Sequence, residues 1–153
     1  MSLYELLKTI HVLAAIAWVG GVIISHVHGA WVDRRNRPED FRHFVDLQAW
    51  LGQRYFMPLS ITVIAAGIAL VIESGWNFTD AWIVIGIVLW VISVAVGAGF
   101  LGPQSIKIQK GLESGGPPDT ALQQVIDKVK FASRVDLVVL ILVVVDMVIK
   151  PGA

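Results

Sequence analysis

Four apolar stretches dominate the chain, and each is long enough, or nearly so, to cross a bilayer as ~20 residues of helix. They run from about Leu3 to Ile24, Phe56 to Ile72, Ala81 to Leu101 and Phe131 to Ile149. Of the 153 residues, 56% are hydrophobic and only 16% are charged. A soluble domain carries about 25% charged residues to coat its surface, so much of this surface must face hydrocarbon. The alternating pattern of a membrane barrel is absent. The expected fold is therefore all-α, an integral membrane, antiparallel four-helix transmembrane bundle. It forms a single domain over 1–153, with helices at about 3–28, 50–73, 80–101 and 122–149.

Local signals punctuate these helices. Pro58 falls in the first turn of the second, where a missing N–H costs little. Thr79 or Asp80 opens the third as N-cap, and Gly102-Pro103 is expected to close it. Pro151-Gly152 ends the fourth. The first segment lacks a small-x-small cleavage site after a short apolar core, so it reads as a retained helix rather than a signal peptide. Between the first two helices, Phe41, Phe44, Val45 and Leu47 have the spacing of a short interfacial amphipathic helix. Gly115-Gly116-Pro117-Pro118 marks a turn before the fourth.

Charge placement gives an orientation. Arg34, Arg35, Arg37, Arg42 and Arg54 lie in or beside the first connection, and Lys107, Lys110, Lys128, Lys130 and Arg134 flank the third. The link from Glu73 to Asp80 has no Lys or Arg. The positive-inside rule puts the two basic connections in the cytoplasm and both termini outside, in a multi-pass protein whose first partner is the lipid bilayer. Twelve basic residues balance twelve acidic ones, so no net charge draws the chain to nucleic acid. The absence of cysteine excludes disulfides, thiolate-held iron–sulfur clusters and covalent haem attachment. No paired carboxylates, nucleophile–base set or phosphate loop points to hydrolytic or transfer chemistry.

Ionisable groups within apolar helices are the candidates for function. At 100° per residue, Tyr4, Leu7, Lys8, His11, Ala15, Trp18, Val22, Ser25 and His26 fall on one stripe of the first helix. A histidine on the inward face of a bundle helix suits axial ligation of haem iron; the plainer alternative is that His11 hydrogen-bonds a neighbouring helix. His26-Val27-His28 has the H-x-H form of a copper or zinc pair. Two such side chains point about 160° apart on a helix and converge only if the helix has ended, as Gly29 would permit. In the fourth helix, Arg134 and Asp136 enter the cytoplasmic leaflet, and Asp146 and Lys150 form an i,i+4 pair at the outer edge. Arg134 either snorkels or neutralises a haem propionate. Trp82, Gly86, Ser93, Gly97 and Phe100 line one side of the third helix as a small-residue groove. Gly67 on the second helix adds to these close-packing surfaces, which suggest a homodimer or a place in a larger membrane complex.

The run from Leu7 to Gly21, with His11, Trp18 and Gly20-Gly21, resembles the first helix of a broad superfamily. It includes copper-resistance D membrane proteins, HemJ-type protoporphyrinogen oxidase and the membrane domain of a cytochrome-linked urate oxidase. Asp146-Met147-Val148-Ile149-Lys150-Pro151-Gly152, with Gly102-Pro103, is closer to an uncharacterised family of bacterial predicted integral membrane proteins. That resemblance implies a bacterial inner (plasma) membrane. The HemJ-like relatives imply His11 as a haem b ligand. Arg54-Tyr55-Phe56-Met57-Pro58 is similar to the start of their second helix and implies Met57 as a second ligand. The third helix has no His or Lys in its apolar run, so porphyrinogen oxidation is not carried over. The copper-resistance likeness implies a transport-related role.

Depth sorts these candidates. At 1.5 Å per residue, His11 lies roughly 7 Å outward of the middle of its helix and Met57 roughly 11 Å inward of the middle of the next. By the same rise His26 is level with Met57, and their side chains lean toward each other. His11 alone and a His26–Met57 pair are thus separate expectations. Trp18, Arg54 and Arg134 complete the expected cofactor-lining set. The sequence leads to a small haem b-binding membrane protein in electron transfer or haem handling. The alternative is a cofactor-free accessory subunit or a small permease-like, copper-related protein.

Overall fold

The computed structural model describes residues 1–113 and 118–152. Gly115, Gly116 and Pro117 of the expected turn lie outside the described residues. The chain forms helices α1 (Leu3–Arg35), α2 (Pro38–Leu51), α3 (Met57–Ser74), α4 (Ala81–Val94), α5 (Gly102–Leu112) and α6 (Thr120–Ile149). One π-helical turn, Gly52–Phe56, joins α2 to α3, and another, Ala95–Leu101, joins α4 to α5. The six helices therefore make four rods.

The first rod is longer than its apolar run. Its start is fixed by a capping box, in which Glu5 N–H donates to Ser2 Oγ and Ser2 N–H donates to Glu5 Oε2. It passes the expected end near 28 and stops at Asn36, which takes a left-handed conformation (φ 50°) while its N–H donates to Val32 O. Gly29 is an interior packing residue: a Cβ there would stand 3.1 Å from Phe44 Cζ. At 33 residues α1 measures ~50 Å, against a hydrocarbon layer of ~30 Å.

The two π-helical turns explain a second departure from expectation. The third rod does not end at Gly102-Pro103 but runs on to Leu112. A proline within a helix lacks one N–H and clashes with the carbonyl four residues back. Here the helix widens immediately before each proline: Met57 N–H donates to Gly52 O ahead of Pro58, and Gly102 N–H donates to Gly97 O ahead of Pro103. The extra residue in the turn admits the ring without breaking the rod.

Packing contacts pair the early residues of one rod with the late residues of the next. His11 meets Val63 and Gly67, Gly21 meets Tyr55, and Gly29 meets Phe44. Gly86 meets Met147, and Gly111 meets Leu122. Three apolar clusters follow one another along the bundle. Ala14, Trp18, Val63 and Leu140 form the middle one. Val71, Trp82 and Ile83 close one end, and Val45, Ile108, Leu112 and Ile126 close the other. The outward face is apolar as well, with Ile72 67% and Val148 77% exposed, a surface suited to lipid and not to water. Three rods, Leu3–Arg35, Pro38–Ser74 and Ala81–Leu112, are long and apolar enough to cross a membrane. The apolar run of α6 is interrupted by Arg134, Asp136 and Asp146.

Candidate functional site

His11 sits half-buried on α1 against α3. Its Nδ1–H donates to the carbonyl of Val63 at 2.9 Å. A carbonyl can only accept, so Nδ1 carries a proton, and Nε2 is the ring nitrogen left free of that bond. Gly67 makes the contact possible, because a Cβ there would lie 3.1 Å from His11 Cε1. Two turns further along α1, Trp18 is buried in the middle cluster with Val63 and Leu140.

Met57 lies elsewhere. It is 45% exposed, on the outside of the second rod. Its neighbours set its level: Tyr55 OH donates to Ala17 O at 2.8 Å, and the Phe56 ring packs at Gly21. Met57 is thus level with the middle of α1, between the two histidines and facing away from both. The offset from the expected His26–Met57 level has a simple cause. The first rod is one helix to Arg35, so the middle of the helix is not the middle of its apolar run. Arg54 and Arg134 are both exposed.

His26 instead meets α6. Its Nδ1–H donates to Val22 O on its own helix at 2.9 Å, and Nε2 is buried without a hydrogen-bond partner among the described residues. About two turns inward of the Asp33–Lys130 pair that joins α1 to α6, the charged group that interacts with His26 is Asp136. Asp136 is 8% exposed and receives a hydrogen bond from the Ser93 hydroxyl of α4, which is 3% exposed. Its Oδ1 remains buried and unpartnered among the described residues. The sequence held each member of this group on a different helix, and nothing in its spacing joined them. The signal was Asp136 itself, a carboxylate well inside an apolar run with no partner of opposite charge on its inward face. His28 turns away from His26, its ring 5.2 Å from that of Phe44, because α1 continues through Gly29. The H-x-H pair therefore does not converge on one ion.

A family model described as predicted integral membrane protein (DUF2269) matches residues 5–151. The chain belongs to that family. No curated protein and no solved structure matches it. The match takes in all four rods of this DUF2269 chain, including the polar ends beyond the apolar runs. Among its described residues, no group of three or more His, Asp or Glu side chains gathers to hold a metal ion. The small residues expected to form an outward groove divide into two sets. At Gly86 a Cβ would overlap Met147 Cε, and Ser93 bonds Asp136, so both serve internal packing. Gly97 and Gly99, in the π-helical turn, face open space.

Proposed function

We propose that this DUF2269 chain is a four-span, antiparallel bundle of a bacterial inner membrane that binds haem b through His11, in electron transfer or haem handling. The observation that carries the haem reading is the Nδ1–H···O bond to Val63 at 2.9 Å. Such a bond fixes the tautomer and orientation of a ligating histidine and raises its basicity. His11 is the residue that would hold the haem. Met57, 45% exposed, does not join it within the same chain, and His26 lies toward Asp136. Haem bound in this way would supply one-electron chemistry at its iron. The chain's own part is to hold the ring: Val63 sets its angle, Gly67 gives it room, and α1 anchors it.

The orientation rests on charge. Arg34, Arg35, Arg37 and Arg42 with Lys107, Lys110, Lys128 and Lys130 share the end built from α2, α5 and the adjoining ends of α1 and α6. That end is cytoplasmic by the positive-inside rule. The α6 rod crosses as the fourth span because Asp136 and Asp146 both turn inward.

An absorption spectrum of the purified, haem-reconstituted protein tests the reading. The expected result is a Soret band that His11→Ala weakens and that Met57→Leu and His26→Gln leave in place. A colourless protein that takes up no haem overturns it. A second reading, a cofactor-free accessory subunit or small permease-like protein, is favoured by the open face at Gly97 and Gly99. In membranes such small-residue faces accept a partner helix. A pigmentless preparation that co-purifies stoichiometrically with a larger complex, with or without copper, supports it.

A further inference from the structure

The group formed by His26, Asp136 and Ser93 contains two acceptors and lacks a donor. His26 Nδ1 is committed as donor to Val22 O, so Nε2 offers a lone pair. Ser93 donates to Asp136, and the other carboxylate oxygen, Oδ1, offers lone pairs. Both atoms are buried, and neither has a partner among the described residues. Two bare acceptors in a low-dielectric interior are unstable together unless a proton lies between them or on one of them. We propose that His26, Asp136 and Ser93 form a buried proton-binding site, in which Nε2 and Oδ1 share a single proton through one water. The exchange balances without any co-reactant: the carboxylic acid and neutral imidazole become carboxylate and imidazolium as the proton passes from oxygen to nitrogen.

The same seam leads outward. Seven residues along α1 from His26, about 10 Å of helix, Asp33 accepts from Lys130 of α6, with Nζ 2.8 Å from both carboxylate oxygens. That ion pair is solvent-accessible. Lys130 also lines a cavity of about 70 Å³ with Gln48 and Ser105, in a wall otherwise made of Phe41, Phe44, Val45, Ile108, Ile126 and Val129. Gln48 Nε2 is buried and unpartnered among the described residues. The buried pair thus lies about two helical turns inward of the surface ion pair, which marks the direction of the basic end. In the other direction, Leu140, 1% exposed, closes the middle of the bundle.

The groups facing the pair are few. On α1 they are His26 and, further out, Asp33. On α4 Ser93 is uncharged. On α2 Gln48 is uncharged, and Asp46 accepts from Gln109 of α5 at the surface. On α6 Lys130 is bound to Asp33, and Arg134 is exposed, two residues and so ~200° round the helix from Asp136.

The test is a pH titration of the full chain in lipid nanodiscs, following the ¹⁵N resonance of His26 and the infrared carboxyl band of Asp136. Both signals are expected to move over one shared pH range. In Asp136→Asn the His26 midpoint should fall, since a nearby carboxylate favours the imidazolium. Ser93→Ala should move both signals together by a smaller amount. Separate midpoints in the wild-type chain overturn the proposal, and so does an unmoved His26 midpoint in Asp136→Asn. Stoichiometric binding of added Zn²⁺ or Cu²⁺ that His26→Gln abolishes also overturns it, by making the missing partner a metal ion. If Asp136→Asn fails to fold, the wild-type and Ser93→Ala titrations decide the matter alone. None of these readouts depends on haem at His11.

Discussion

Replacing Gly67 by alanine tests whether the His11 ring is held where the α1–α3 contact places it. The new Cβ would stand 3.1 Å from His11 Cε1 and 3.3 Å from Nδ1. An ordinary contact begins near 3.4 Å, so the ring must retreat by a few tenths of an ångström. It has little room, because Val63 O fixes Nδ1 at 2.9 Å. Overpacking of this kind costs about 1–3 kcal/mol, and weakening the hydrogen bond adds up to ~1 kcal/mol. Against this, alanine stabilises a helix interior by ~1 kcal/mol relative to glycine. The expected sum is a destabilisation of up to about 3 kcal/mol. In a His11→Ala background the ring is gone and only the propensity term survives, so Gly67→Ala should then stabilise by up to ~1 kcal/mol. Reversible unfolding in mixed micelles, run on all four members of the double-mutant cycle, measures the change of sign. If Gly67→Ala stabilises the chain in both backgrounds, the ring does not occupy the place assigned to it.

Three further outcomes follow from other parts of the bundle. Lys150 Nζ lies 4.5 Å from the Trp76 ring centre and 4.7 Å from that of Trp82; Lys150→Met, which keeps the stem, should cost ~1–2 kcal/mol and alter tryptophan fluorescence, and an unchanged unfolding midpoint refutes the cation–π contribution. Cysteine at Gly75 should react with an impermeant reagent added outside intact cells and cysteine at Asn36 should not; the reverse pattern overturns the orientation. Gly97 has nothing within 4 Å of its Cβ position, so Gly97→Leu should leave monomer stability within about 0.5 kcal/mol while reducing the homodimer fraction seen by crosslinking in lipid. Crosslinking that gives only monomer in the wild-type chain removes this face as an interface.

The parts legible in the sequence were those that depend on a single helix. Apolar runs, the Asp80 cap and the amphipathic spacing of Phe41, Phe44 and Val45 are local properties, and the helices form where they indicate. Two stop signals misled for a local reason too: Gly29 and Gly102-Pro103 end a helix only if nothing packs against the glycine and nothing widens the turn. Phe44 covers the first, and a π-helical turn receives the second. What the sequence withheld is the partnership between rods. A hydropathy window counts Asp136 and Asp146 as interruptions, because it has no way to ask which direction they face. In the folded chain Asp136 meets Ser93, and Asp146 is buried beside Gly86, whose missing side chain makes room for Met147. Two small residues on the most apolar helix, α4, thereby admit the two carboxylates of α6. A rod whose acidic groups are turned inward presents lipid with the same surface as an uncharged one, so α6 can span the bilayer while failing the compositional test for it. The same inward turn removes those carboxylates from water and leaves Asp136 with His26 as its counterpart, which is why the rod least like a membrane helix by composition carries the group that binds the proton.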